Sequence, residues 1–204
     1  MAQKRDPLSQ EELLRFESLV GEIFSRLGID LSSPGCRDTP KRWLRALIDM
    51  TDGYNGDGKI RTVFSRECVG CESGVGEQTV EGPIEFVSLC EHHALPFIGK
   101  AWIGYLRNET IIGISKFTRI VHVYARRFSL QERMAQEIAN ELESILKPYG
   151  VIVYLQAHHT CTQARGVREA TAFTRTLEKR GEYQKEPHLV SEFMDLAGLR
   201  RPLA

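Results

Sequence analysis

The chain has 204 residues, 42% hydrophobic and 26% charged, the composition of one globular domain carrying an N-terminal appendage. Lys plus Arg number 27 and Asp plus Glu 27, a formal net charge of zero that speaks against a general nucleic-acid or acidic-membrane binder. Met1 to Asp6 is short and polar, and no apolar run approaches the roughly 18 residues of a membrane span, so a cytoplasmic protein without a membrane partner is expected.

Ser9 followed by Glu12 has the pattern of a capping box, and Leu13, Phe16, Val20, Ile23, Phe24 and Leu27 then share one helical face before Gly28. A second helix is predicted with Thr39 as N-cap and Pro40 at its first position, running through Trp43, Leu44 and Leu47 to about Gly53. Tyr54 to Gly82 reads as loop with a short strand around Thr62 to Phe64. Core strands are then expected over Ile84 to Ser88, Ile98 to Leu106 and Thr110 to Ile114. Two helices follow, from Ser115 to about Arg127 and from Ser129, where Glu132 again completes a capping-box pattern, through Met134, Ile138, Leu142 and Leu146. Val151 to Ala157 reads as a strand, another is expected between Arg168 and Leu177, and Pro187 to Leu196 as a terminal helix. Helices, strands, a helix pair and strands again predict an α+β domain with helices on one sheet face. The expected division is a helical segment over residues 1–60 and a catalytic domain over residues 61–204.

Five cysteines without a secretory signal favour metal binding or catalysis over a disulfide framework. The fragments Cys90-Glu91-His92-His93 and His158-His159-Thr160-Cys161 supply thiols and imidazoles at metal-ligand spacing. Cys90 and His93 can hold one ion from a single turn, Cys161 can complete the set, and mixed sulfur and nitrogen donors suit zinc. Adjacent His92 and His93 do not ordinarily both reach that ion, and the spacing leaves open which of them is free for proton transfer. Three protein ligands leave a corner for a Lewis-acid function, whereas a structural site is usually closed by four. The Cys68-x-x-Cys71 pair has three readings: a second zinc half-site, a redox pair, or incidental thiols, the last favoured because no second pair lies nearby. Cys36 stands alone and reads as structural.

Ser115, Lys116 and Arg119 lie where a helix should begin, so free N–H groups and two cations can converge on a phosphate; alternatively Ser115 caps the helix while the cations face solvent. Arg165, four residues past Cys161, offers a guanidinium for bidentate phosphate contact. Gln131 and Glu132 pair an amide with a carboxylate suited to the donor edge of a guanine-like ring, unless Glu132 serves the cap with Ser129.

The segments SLCEHHALPFIGKAWIGY, GISKFTRIVHVYARR, QER and HHTCTQARGV, with DTPKRWLRALIDMTDGY upstream, resemble in order and spacing the signatures of the GTP cyclohydrolase I family. The resemblance covers nearly the whole chain and is most specific between Ile84 and Val167. It implies the tunnelling fold, an antiparallel sheet backed by a helix pair that closes into an oligomeric barrel, typically a homodecamer with active sites between subunits. It implies Cys90, His93 and Cys161 as zinc ligands, His92 and His159 as proton-transfer groups, and Gln131 and Glu132 as guanine readers. Ser115, Lys116, Arg119 and Arg165 would hold the triphosphate, with Arg42 and Arg45 reaching in from a neighbouring subunit. The implied reaction opens GTP hydrolytically at C8, releases formate, rearranges the ribose and closes to 7,8-dihydroneopterin triphosphate.

Departures from the family pattern are REATAFTRTLEKRGEY after Val167, notably Ala172, Arg175 and Leu177 to Arg180, together with Thr160 and Leu106-Arg107. They admit a sister cyclohydrolase that stops at the ring-opened formamide or serves deazapurine synthesis. The fold-related nitrile reductases need no zinc trio, and the intact trio speaks against them. A third possibility is a zinc-stabilised binding protein without catalysis, in which the extra histidines would have little use.

Overall fold

The computed structural model describes residues 6–65 and 77–200, so Cys68 and Cys71 lie outside the described residues. Helix α1 (Gln10–Arg26) starts on the expected capping box: the Glu12 N–H donates to Ser9 Oγ at 3.2 Å and the Ser9 N–H to Glu12 Oε2 at 2.8 Å. Helix α2 (Thr39–Asp49) lies against it, with Phe24 and Trp43 edge to face at 5.6 Å. Its N-cap is Asp38 rather than Thr39, and it stops four residues short of Gly53 because the chain tightens into a 3-10 turn over Asp52–Asn55. That turn presses on the next helix: a Cβ on Gly53 would lie 2.4 Å from Val123 O and 2.7 Å from Arg126 O.

Strand β1 (Val63–Ser65) pairs with β4 (Thr110–Ile112) in a separate two-stranded ribbon. Thr110 to Ile114 was expected in the core sheet; its apolar residues instead find a partner upstream in the chain. The main sheet comprises β2 (Gln78–Cys90), β3 (Pro96–Leu106), β5 (Phe128–Ser129), β6 (Gly150–His159) and β7 (Thr174–Gly181), in the order β5-β2-β3-β6-β7. All neighbours are antiparallel except β5, which runs parallel to β2. Strand β2 begins well before Ile84, within the expected loop, and a register shift between Glu81 and Ile84 carries it past the Gly82-Pro83 interruption. Strand β7 begins later than expected, at Thr174.

Helices α3 (Ser115–Ala125) and α4 (Gln131–Leu146) cover one face of this sheet. Residues alternate across a strand, so Ala101, Ile103 and Tyr105 of β3 and Val151, Val153 and Leu155 of β6 pack with Phe117, Ile120, Met134 and Ile138 in one buried cluster. Short helices α5 (Thr160–Gln163) and α6 (Glu182–Lys185) flank β7, and α7 (Pro187–Leu196) covers part of the opposite face. There Trp102, Leu106, Ile152 and Tyr154 meet Leu189 and Phe193. The α+β architecture, an antiparallel sheet backed by a helix pair, is as expected and consistent with the tunnelling fold. Among the described residues no helix is long and apolar enough to cross a membrane.

Close approach of α7 depends on Gly104, where a Cβ would sit 2.7 Å from both Ile152 Cγ2 and the Phe193 ring. Phe193 is fully buried and has no room to yield. Gly104→Ala is therefore expected to cost about 1–3 kcal/mol by overpacking. Urea denaturation checks this, and an unchanged midpoint would show that the far face is loosely packed.

Candidate active site

The end of the sheet where β2 finishes, β3 begins and β6 finishes gathers the reactive side chains. Cys90 is the last residue of β2, and a tight turn follows it: the Ala94 N–H donates to Cys90 O at 2.8 Å and the Cys90 N–H to Leu95 O at 2.8 Å. Ala94 takes a φ of 54°, in the left-handed region. The turn brings His93 Nδ1 to 3.8 Å from Cys90 Sγ. Cys161 arrives from the far side in α5, and Thr160 anchors that helix by donating from Oγ1 to Pro96 O at 2.7 Å. The ligand atoms of Cys90, His93 and Cys161 all lie within 4.8 Å of one another, a group capable of holding a metal ion.

The Cys90–His93 pair fits an ion of zinc's size. Tetrahedral bonding at ordinary Zn–S and Zn–N lengths places ligand atoms about 3.5–3.8 Å apart, so the Cys90–His93 separation needs no rearrangement. Electrostatics point the same way. Burial pushes the Cys161 thiol above its ordinary pKa, the neighbouring Cys90 pushes it further, and Arg165 draws it down. A cation beside the Cys161 sulfur would offset that burial.

His92 is exposed and outside the ligand group, its ring edge-on to that of His93 with centroids 6.2 Å apart. His159 is half-buried, stacked on Phe97 at 4.6 Å and 6°, with Nε2 3.0 Å from Gln131 Oε1. Burial lowers its pKa, against the opposing pull of the Glu132 carboxylate. His158 alternates to the other face, with Nδ1 2.9 Å from Gln163 Nε2 and its ring 3.7 Å from that of Phe173.

The capping box expected at Ser129 and Glu132 does not form. Ser129 belongs to β5, paired with Cys90, and its hydroxyl donates to Leu130 O at 3.1 Å, so α4 starts from Leu130 without a side-chain cap. Glu132 is exposed and has no hydrogen bond or ion pair among the described residues. Gln131 is only 1% exposed and committed to protein partners.

Ser115 opens α3 and is exposed; the N-cap is Ile114, without a side-chain cap bond, which removes the capping explanation for Ser115. Arg119 donates to Asp57 Oδ2 at 2.7 Å, and no hydrogen bond or ion pair among the described residues links Ser115, Lys116 or Arg119 to the Cys–His–Cys group. Arg42 and Arg45 are exposed on α2, Arg42 donating to Gly35 O at 2.7 Å. Sequence reasoning missed Glu91, which accepts from both terminal nitrogens of Arg133 at 2.5 and 3.0 Å and ties the 91–94 turn to α4. It also missed Phe97, Asp57 and Thr176, whose partners are far away in sequence.

A hollow of 860 Å³ lies at Val87, Ile98, Lys100, His122 and His158 and contains none of the Cys–His–Cys group.

A sequence profile described as GTP cyclohydrolase I matches residues 16–198. A protein of Porphyromonas gingivalis named GTP cyclohydrolase 1 is 37% identical over 194 residues, spanning 94% of this chain and 97% of its own length. Proteins of the same name from Methylococcus capsulatus and Saccharomyces cerevisiae are 37% and 36% identical, spanning 89% and 98% of this chain and 96% and 80% of their own lengths. Among solved structures, an archaeosine synthase QueF-Like in the apo form covers 54% of this chain and 97% of its own, at 14% identity and TM-score 0.43, too distant to carry an argument.

Proposed function

The chain belongs to the GTP cyclohydrolase I family, and from that premise we propose that it holds one zinc ion through Cys90, His93 and Cys161 and converts GTP and water to 7,8-dihydroneopterin triphosphate and formate. The observation that carries this reading is the convergence of those three donor atoms within 4.8 Å, beside histidines outside the ligand set. Zinc so held supplies the Lewis acidity that activates water near neutral pH.

The chain's own groups supply the rest. His92, exposed next to a ligand, exchanges protons with the purine as its C8 is opened; His159, half-buried against Phe97, serves the ribose steps. Glu132 accepts from the two donors that guanine presents side by side, N1–H and the 2-amino group. Lys116, Arg119 and Arg165, with Ser115, bind the triphosphate, and Arg42 and Arg45 reach the site of a neighbouring copy in a homo-oligomer, a decamer by family likeness. In this reading the helices of residues 1–60 form an arm on a catalytic body of residues 61–204.

Two departures of the divergent segment leave the His159 face of the sheet unchanged. Thr174 and Thr176 pair with Ala157 and Leu155, on the face that holds Gln131, whereas Arg175 and Leu177 pair with Gln156 and Tyr154 and point to the opposite face. The departures at Arg175 and Leu177 thus lie away from His159.

Zinc-loaded protein given GTP tests the reading: formate and a pterin that fluoresces after oxidation should appear in equal amounts. A ring-opened product without formate would move the chain to the sister activity, and no turnover at full metal occupancy would make it a binding protein. Glu132→Gln, which loses a charged acceptor worth about 1.5–3 kcal/mol, is expected to lower kcat/KM for GTP roughly 10- to 100-fold. Steady-state kinetics with an unchanged ratio would remove Glu132 from base recognition.

A further inference from the structure

The 3-10 turn over Asp52–Asn55 ends at Gly56, whose φ of 70° lies in the left-handed region, and the next residue, Asp57, meets α3. Both oxygens of its carboxylate are engaged. Oδ1 accepts from its own loop, the Lys59 N–H at 2.8 Å, and Oδ2 accepts from Arg119 Nη1 at 2.7 Å. The first bond orients the carboxylate, and the second passes that orientation to the guanidinium.

The segment carrying Asp57 is itself tied down on either side. Upstream, the Gly53 N–H donates to Arg126 O at 3.0 Å, and Gly53 O accepts from Arg127 Nη2 at 3.1 Å and Nε at 3.3 Å. Arg127 is buried, its guanidinium 5.6 Å from the Tyr54 ring and 4.7 Å from that of Tyr124. Arg126 Nη1 adds a bond to Asp52 Oδ2 at 2.9 Å. Downstream, Ile60 is buried in the main core cluster and its N–H donates to Asp57 O at 3.2 Å. An ordinary surface ion pair is weak because forming it immobilises two long side chains. Here the acid is immobilised in advance.

Arg119 lies four residues past Ser115 and three past Lys116, so the three share one side of the first turns of α3. With 41% of its side chain exposed, an arginine without a partner would sample many rotamers. Asp57 takes Nη1 through a single oxygen, and among the described residues no other group hydrogen-bonds to Arg119. The edge formed by Nε and Nη2 therefore stays open for two phosphate oxygens at once.

We propose that Asp57 is a positioning residue for triphosphate recognition, which holds the Arg119 guanidinium so that this edge meets the phosphates. The proposal rests on the reading of Arg119 as a triphosphate ligand. It gives the turn before β1 a part in the site through one guanidinium. A carboxylate that instead competed with the phosphates for Arg119 would have the opposite effect on GTP affinity, so the sign of the change decides between the two.

The test is steady-state kinetics of the zinc-loaded enzyme on GTP, together with competitive inhibition by guanosine, which carries the base and ribose but no phosphate. Asp57→Asn, of the same shape without the charge, is expected to raise KM for GTP about 5- to 30-fold with kcat within about twofold. Zinc content and inhibition by guanosine should not change. Arg119→Met should raise KM at least as far, and combining the two substitutions should add no more than about twofold, since both act through one guanidinium. An Asp57→Asn enzyme with unchanged KM beside a damaged Arg119→Met would overturn the proposal, and a lowered KM would do so by making Asp57 a competitor of the phosphates. Full additivity in the double variant, or guanosine inhibition weakened as much as GTP binding, would also overturn it. Arg119→Met with the wild-type KM would overturn the triphosphate reading beneath the proposal, and is told apart because that variant leaves Asp57 in place.

Discussion

Cys161→Ala is expected to empty the metal site and abolish GTP turnover while leaving the fold in place. Of the three donors, Cys161 alone comes from outside the 90–93 turn, so its loss leaves Cys90 and His93 as a two-point chelate. Structural zinc sites bind with about 10–16 kcal/mol from four ligands, so one ligand is worth roughly 3 kcal/mol or more, an affinity loss on the order of 10²- to 10³-fold. The smaller side chain removes only a sulfur from a buried corner, a modest cost beside that loss. Metal analysis per subunit, circular dichroism and formate release measured together check the expectation. A variant that keeps a full equivalent of zinc and its activity would remove Cys161 from the ligand set.

Alanine at His92 or His159 should do the reverse: keep the metal and lower kcat by about 10²- to 10⁴-fold, the ordinary worth of a positioned acid or base. His93→Ala is the contrast, expected to lose the ion. The distinction rests on geometry, because His93 Nδ1 turns toward Cys90 Sγ while His92 projects outward from the same turn. His159 is separated from the ligand set by its commitment to Gln131. Zinc content in the three variants decides the matter, and an empty site in His92→Ala would exchange the roles of the two neighbours.

Periodicity was enough for elements with one dominant apolar face: α7 runs over Pro187–Leu196 as read, and α4 ends at Leu146. Capping patterns were less secure, because the same Ser-x-x-Glu spacing forms a box at Ser9 and none at Ser129. The difference is tertiary, since Ser129 is drawn into a parallel bridge with Cys90. Thr110–Ile112 carried a true strand signal, but a strand pattern does not name its partner, and here it is β1 and not the core sheet. At the site, Cys90 and His93 were legible as a local chelate. That Cys161 can complete the set was legible from the second His-His-Thr-Cys fragment; the strand order that brings it there, β3 between β2 and β6, was not. The Gln131 contacts to Thr174 and Thr176 span 43 and 45 residues, and nothing in local spacing announces them.

That strand order also bears on how the chain matures. The half-site of Cys90 and His93 is made early and locally, by the β2–β3 hairpin, whereas Cys161 follows only after the helix pair and β6 have been synthesised and β6 has found β3. Joining distant strands is slow because the closure entropy precedes the contacts that reward it. Completion of the three-donor group therefore waits on that docking.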